Sequence, residues 1–536
     1  MYGRLVFSFC LLFSYSLFGQ SRQLYDPLID VQHYQFHIQV SDDNDSIKGN
    51  AFITTKFLSQ AVSVSFDLIN INDTGRGMYV AAVKMNGANL SFSHKHNILQ
   101  IQLGKTIVIG EEQTFEISYT GIPADGLIIR KNKYGHRTMF ADNWPNRARN
   151  WIPCKDHLSD KAGVDFFVTA PDHYQVISNG VKQEETNLVN HLRLTHWKED
   201  VLLPTKVMVI GLADFAVDYP AEVNGIQLSS WVFPEDRDKG FYDYAQAAEI
   251  LPFFIQNVGP YAYKKLANVE SKTIFGGMEN ASAIFYYENS ITGKRTSEAL
   301  LVHEIAHQWF GNSATESDWP HLWLSEGFAT EMTNLYFEKK YGADTLIKRL
   351  KEDRKQVFEF AKKSTTPIVD TSARENPMIQ LNANSYQKGG FVLHMLRRKL
   401  GDVMFWKSIQ QYYTSFRGKN ASTRDLQKIF EQASGQNLAT FFDQWCYTAE
   451  NPSLQINWVY AEKEKQLIIS ILQKTKQSFL LPLELEIVLP GGKNINHTVS
   501  ITGKTTQIKI PVNNRPAAIN PDPGCNLLFE SVILEQ

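Results

Sequence analysis

From Tyr25 to about Phe215 apolar and polar residues alternate in short runs, among them HYQFHIQV, NAFITTKF, VSVSFDL and QTFEISYTG, broken by Gly, Asn and Asp. Alternation puts every second side chain on one face, so this stretch predicts short strands packed as an all-β sandwich. The period changes from Gly240. Segments lengthen and repeat their apolar residues every three or four positions, as in FYDYAQAAEILPFFIQNVG, SEALLVHEIAHQWFGN, GFATEMTNLYFEKKYG and LIKRLKEDRKQVFEFAKK, which predicts a mainly helical middle. After FFDQWCYTAENP alternation returns in SLQINWVY, KQLIISILQ, LPLELEIVL and TQIKIPV. The layout is multidomain α+β: a sandwich-like β domain over 21–215, a mainly helical domain over 216–450 and a small β-sandwich over 451–536.

A chain of 536 residues exceeds what one hydrophobic core supports, which agrees with several domains. The 54 basic and 56 acidic residues nearly cancel, so charge offers no argument for nucleic acid or an anionic membrane as a partner. At the start Arg4 precedes an apolar run from Leu5 to Phe18 and then Gly19, the anatomy of a leader over 1–20, too short to span a bilayer. The mature protein is therefore expected to be exported, periplasmic or extracellular, with no transmembrane anchor. Beyond Cys10 there remain Cys154, Cys446 and Cys525, neither a disulfide framework nor a zinc-binding pair motif, with one disulfide open to them.

Chemistry concentrates in LVHEIAHQWFGNSATESDWPHLWLSEGFATE, from Leu301 to Glu331. Ser297 and Gly311 bound a predicted helix on which His303 and His307, four apart, share a face and can turn both imidazoles to one metal. A catalytic Zn²⁺ wants a third protein ligand and an open fourth position. Glu326, with eighteen residues between it and His307, supplies that ligand if the chain turns back into a second helix near LWLSEG. Glu304 would then face the reacting water and serve as general base. HExxH alone arises by chance in roughly one chain in fifty of this length, and the added glutamate lowers those odds.

HEIAHQWFGN, WLSEGFA, the upstream GGMEN (Gly276 to Asn280) and the downstream YQKGG (Tyr386 to Gly390) together resemble the aminopeptidase N family of zinc metallopeptidases, gluzincins that include leukotriene hydrolase. The resemblance implies a thermolysin-like catalytic domain and a zinc aminopeptidase acting on peptides with a free N-terminus. It implies that Glu279 holds the substrate ammonium, that Gly276, Gly277, Met278 and Asn280 form the wall that receives the peptide, and that Tyr386 donates to the oxyanion. Asn280 opens a formal glycosylation triplet, but a glycan there would block the cleft.

The chain departs from that pattern in three places. In DNWPNRARNWIPCKDH the ungapped equivalent of a second amine-binding carboxylate or amide is Trp144, so that contact is lost or shifts to Asp142, Asn143 or Asn146. Seven residues after Glu326 stands Thr333 where relatives often carry an acidic residue, with Glu331 out of phase. The sequence stops at Gln536 after the second β segment, so the cleft is expected to be more open than in relatives with a closing helical domain, or else covered by another subunit. Two rivals remain: a zinc endopeptidase, which needs no free amine, and a non-catalytic peptide-binding protein on the same fold.

Overall fold

A computed structural model describes residues 28–535; the leader predicted over 1–20 lies outside them. The first β region is built on an eight-stranded sheet in the order 181–188, 192–204, 161–171, 29–39, 47–57, 112–122, 77–85, 88–89. Its alternation is that of the sequence: Tyr34, Phe36 and Ile38 are buried on the strand Ile29–Gln39. That strand pairs antiparallel with Ile47–Phe57, Phe36 opposite Ala51, and parallel with Lys161–Pro171, Phe36 opposite Phe166. A three-stranded sheet (61–67, 98–107, 92–95) adds Val64, Phe66, Leu99 and Ile101 to the same core, and a four-stranded sheet holds Ile210–Ala213 between Gln175–Ser178 and Arg137–Ala141.

The middle of the chain is less purely helical than its periodicity predicts. It opens on a further sheet whose main path runs Ala216–Asp218, Ile226–Val232, Lys265–Ser271, Ala283–Tyr287, Gly277–Met278. Its central strands are parallel, and all seven residues of Lys265–Ser271 are buried. Burial on both faces removes the polar–apolar alternation that marks a half-exposed strand. Helices α1 (Arg237–Tyr244), α2 (Ala247–Asn257), α3 (Glu298–Ala306), α4 (Trp323–Tyr341), α5 (Ala343–Ala361), α6 (Gly389–Leu400), α7 (Asp402–Phe416) and α8 (Thr423–Ser434) supply the rest. Ser422 and Asp425 close a reciprocal capping box on α8, and Gly435, in the left-handed region, ends it.

The last region forms a four-stranded sheet (505–511, 466–473, 453–461, 530–535) and a three-stranded one (494–501, 481–488, 518–521). Leu454, Ile456, Leu467, Ile469, Leu483 and Leu485 bury alternate positions of these strands. Buried charge ties the regions together around the site. Lys206, beside the first β region, donates to Glu316 at 2.6 Å, both side chains being inaccessible. Lys161 donates to the carbonyls of Ser313 and Lys419, each at 3.0 Å. On the other side Arg354 of α5 pairs with Asp522 and donates to the Leu527 carbonyl at 2.5 Å. Cys154, Cys446 and Cys525 are buried free thiols. Among the described residues no helix is long and apolar enough to cross a membrane.

Candidate metal centre and peptide cleft

Helix α3 starts after Ser297, whose hydroxyl donates to the Ser290 carbonyl rather than capping the helix, and Glu298 stands in its first turn. One helical turn separates His303 from His307, so both imidazoles leave the same face. The chain then folds through Thr315–Glu316 and enters α4 at Trp323, which brings Glu326 to that face. The Nε2 atoms of His303 and His307 lie 3.2 Å apart, and each is 3.3 Å from Oε2 of Glu326. The centre of such a nearly equilateral triangle is about 1.9 Å from each corner, close to the roughly 2.0–2.1 Å at which zinc takes nitrogen and carboxylate oxygen. Among the described residues this is the one cluster of His, Cys, Asp or Glu arranged to hold a metal ion. Two nitrogens and one oxygen leave a fourth position free, and the set fits zinc.

The ligands are oriented by groups that the sequence reading did not single out. Nδ1 of His307 is 3.0 Å from the carbonyl of Phe310 and 3.0 Å from Oγ of Ser325, which neighbours Glu326. A hydrogen bond from Nδ1–H to that carbonyl presents the lone pair of Nε2 to the metal position. Thr333 plays no such part: its hydroxyl donates to the Ala329 carbonyl one turn back at 2.7 Å. Glu331 is buried against His394 of α6, 3.4 Å from its Nδ1.

Charge in the metal-free centre is strongly perturbed. Burial works against the His307 cation, but Glu326, Glu279 and Glu304 outweigh it and hold the imidazole at about 10. Burial keeps His303 below its ordinary value, so one of the two rings stays neutral. Burial also opposes ionisation of Glu326, yet His307 and His303 hold its carboxyl well below the usual range. Glu304 is pushed up to about 8 by burial, with His307 opposing and Glu279 and Glu326 adding to the rise.

A cavity of about 280 Å³ opens over this centre. Its walls include His303, Glu304, His307, Glu326, Tyr386, Gly276, Gly277, Met278, Glu279 and Trp144. Gly277–Met278 is a two-residue strand at the sheet edge, paired on one side with Tyr286 and Phe285, so its other side can accept an extended peptide. Gly277 is required there: a Cβ would stand 2.3 Å from Oε1 of Glu304. Glu279 is 5% exposed, and its Oε1 is buried with no hydrogen-bond partner. Asn280, fully buried, lies beneath the wall and does not line the cavity, which also leaves no room for a glycan.

Two side chains from the end of the metal helix fix the backbone at Glu279. Gln308 Nε2 and Asn312 Nδ2 both donate to the Glu279 carbonyl, at 2.9 and 2.6 Å, while Gln308 Oε1 accepts from the Ser282 amide at 2.9 Å. Two residues of HQWFGN thus tie the backbone of Glu279 to the segment that carries His307. Tyr386 enters from a wide π-type turn over Asn384–Lys388 that leads into α6, its ring stacked 6.0 Å from His303. Burial, reinforced by Glu326, Glu279 and Glu304, keeps its phenol protonated far above neutrality.

Chain comparison agrees with this geometry. Residues 30–207 match the peptidase M1 N-terminal domain and residues 242–445 the peptidase family M1 domain. The chain belongs to the M1 peptidase family. Among family relatives, aminopeptidase M1 of Arabidopsis thaliana is 25% identical over 79% of this chain and 52% of its own length. A probable aminopeptidase 2 of Sulfurisphaera tokodaii is 26% identical over 78% of this chain and 53% of its own. The chain spans about half the length of these curated M1 relatives. The crystal structure of an M1 zinc metallopeptidase from Deinococcus radiodurans shares the fold, with a TM-score of 0.67 over 78% of this chain and 93% of that one at 23% identity.

The M1 site depends on a close helix contact that can be tested directly. A Cβ on Gly327 would meet the backbone of Gly389 at 2.8 and 2.9 Å, so α4, which carries Glu326, and the start of α6, directly after the turn that carries Tyr386, touch through two glycines. Gly327→Ala must push them apart, because backbone cannot rotate away as a side chain can. We expect turnover to fall at least about tenfold and stability by about 1–3 kcal/mol. Steady-state kinetics and thermal unfolding read both; wild-type kcat in a folded Gly327→Ala protein would refute the contact's role.

Proposed function

We propose that this chain is a zinc-dependent aminopeptidase that releases the N-terminal residue of peptides. The observation that carries the reading is the buried, unpartnered carboxylate oxygen of Glu279 in the cavity that also holds the His303, His307 and Glu326 group. A buried carboxylate oxygen without a hydrogen-bond partner is costly unless a donor arrives with the ligand. The α-ammonium of a peptide is such a donor, and pairing it with Glu279 leaves the first peptide bond at the metal.

Zinc held by His303, His307 and Glu326 would polarise the scissile carbonyl and make a water acidic near neutrality. The chain's own residues do the rest. Glu304 takes the proton of the attacking water and delivers it to the departing amine. Tyr386, kept protonated, donates to the oxygen that gains negative charge. Gly277 and Met278 hold the peptide as an added strand, and Gln308 with Asn312 keep Glu279 at one residue's distance from the metal. A related structure, the Glu→Ala mutant of the Deinococcus radiodurans M1 zinc metallopeptidase, is described as bound to a Tyr-Ser-Ala substrate, a peptide of the class this geometry suits.

The test compares a peptide with its N-acetylated twin. Losing a buried charge pair should lower kcat/KM for the twin by roughly 10²- to 10³-fold, and Glu279→Gln should bring the two substrates close together. Equal cleavage by the unaltered protein would favour an endopeptidase instead. Absence of cleavage in a zinc-loaded sample would favour a peptide-binding protein.

A further inference from the structure

Building on the aminopeptidase reading, we propose that the substrate's ammonium sits between the Glu279 carboxylate and the indole of Trp144, a seat made of one carboxylate and one cation–π wall. An ammonium carries three N–H donors and a full charge, so a single carboxylate leaves part of it unpaired where the cavity walls displace water. Of the three residues that could supply a second polar partner, Asn146 is half-buried and does not line the cavity, and the other two are already committed. Asp142 is fully buried and bound by Arg147, with the Ile274 amide 3.4 Å from its other oxygen. Asn143 donates to the carbonyls of Thr205 and Met208 at 3.1 and 2.6 Å and accepts from Trp151 Nε1 at 2.8 Å. Neither lines the cavity, whereas Trp144 does.

Trp144 is 3% exposed and firmly placed. The rings of Phe275 and Trp319 stand nearly perpendicular to it at 5.8 and 5.6 Å, and Arg147 Nε donates to its carbonyl at 2.7 Å. Of the three carboxylates on the cavity wall, Glu326 belongs to the metal group and Glu304 packs on Gly277 beside it, so Glu279 is the one left for an ammonium. Indole is the side chain best suited to attract a cation by its ring, and the attraction grows once water is excluded. The wall that interrupts the expected pair of polar groups thereby completes the amine seat in different chemistry.

The rival role for Trp144 is packing against the first side chain, and the two are separable by ligand. The probes are L-phenylalanine amide and its desamino twin, 3-phenylpropanamide, as competitive inhibitors of zinc-loaded wild type, Trp144→Phe and Trp144→Leu. Cation binding by the indole predicts that Trp144→Leu weakens the amine-bearing inhibitor about tenfold to thirtyfold and the twin by less than about twofold, with Trp144→Phe between. Equal weakening of both, or of neither, overturns the proposal in favour of side-chain packing or no role. Should Trp144→Leu fail to fold, Trp144→Phe gives the same contrast at smaller amplitude. If wild type binds both inhibitors alike, the aminopeptidase reading itself fails, a result distinct from any change in the variants.

Discussion

Glu304→Ala should give a protein that keeps its metal and turns over between about 10²- and 10⁴-fold more slowly than wild type, the range for losing a positioned general base. The ligand group is His303, His307 and Glu326, and none of its distances depends on Glu304, so metal content by atomic absorption should be unchanged. Stability should move the other way. In the metal-free protein Glu304 is raised from 4.5 to about 8, chiefly by burial. Between those values the folded chain holds a proton that the unfolded chain has released, so this group's contribution falls as pH rises through the window. Removing it should make the metal-free variant unfold at higher temperature than metal-free wild type above about pH 8, with the difference vanishing near pH 4. Unchanged turnover would remove Glu304 from the mechanism, and loss of metal along with activity would mean that it supports the ligands instead.

What the sequence disclosed of this site follows from the range over which its geometry is set. His303 and His307 are fixed by one helical turn, and Glu326 by the helix that must follow, so three ligands could be named from spacing alone. Gln308 and Asn312 were invisible in that role because their partner is a backbone carbonyl about thirty residues upstream, and a buried amide after a helix reads as an ordinary capping residue. Ser325 was hidden for the same reason, its bond to His307 being a product of tertiary folding. The strand Lys265–Ser271 lacked the alternation that revealed Ile29–Gln39, since a parallel strand covered on both faces has no exposed positions to mark its period. Trp144 could be seen only as a missing carboxylate; its place in the cavity wall required the fold.

Stripping the metal with a chelator should abolish turnover, and zinc should restore it, because no residue in the cavity replaces the electrophile. The protons that accompany reloading make the sharper test. Nε2 of His303 and Nε2 of His307 are 3.2 Å apart, a separation two protonated rings would not hold. The opposite directions of their shifts resolve this: His303 is lowered and neutral, while His307, favoured by Glu326 despite burial, holds its proton up to about 10. That proton stabilises the metal-free fold at all pH values below the ordinary imidazole value and is lost as a stabilising contribution as pH rises through about 10. Glu326, held low, contributes above the ordinary carboxylate value and loses its contribution only in strong acid. An ion can take the His307 lone pair only after the proton leaves, so zinc uptake should release at least one proton per ion below about pH 9, with the yield falling above pH 10. Apparent affinity should accordingly rise by about tenfold per pH unit across the same range. A pH-indicator titration in weak buffer measures both, and zinc uptake at pH 8 without proton release would show that His307 enters the centre already neutral.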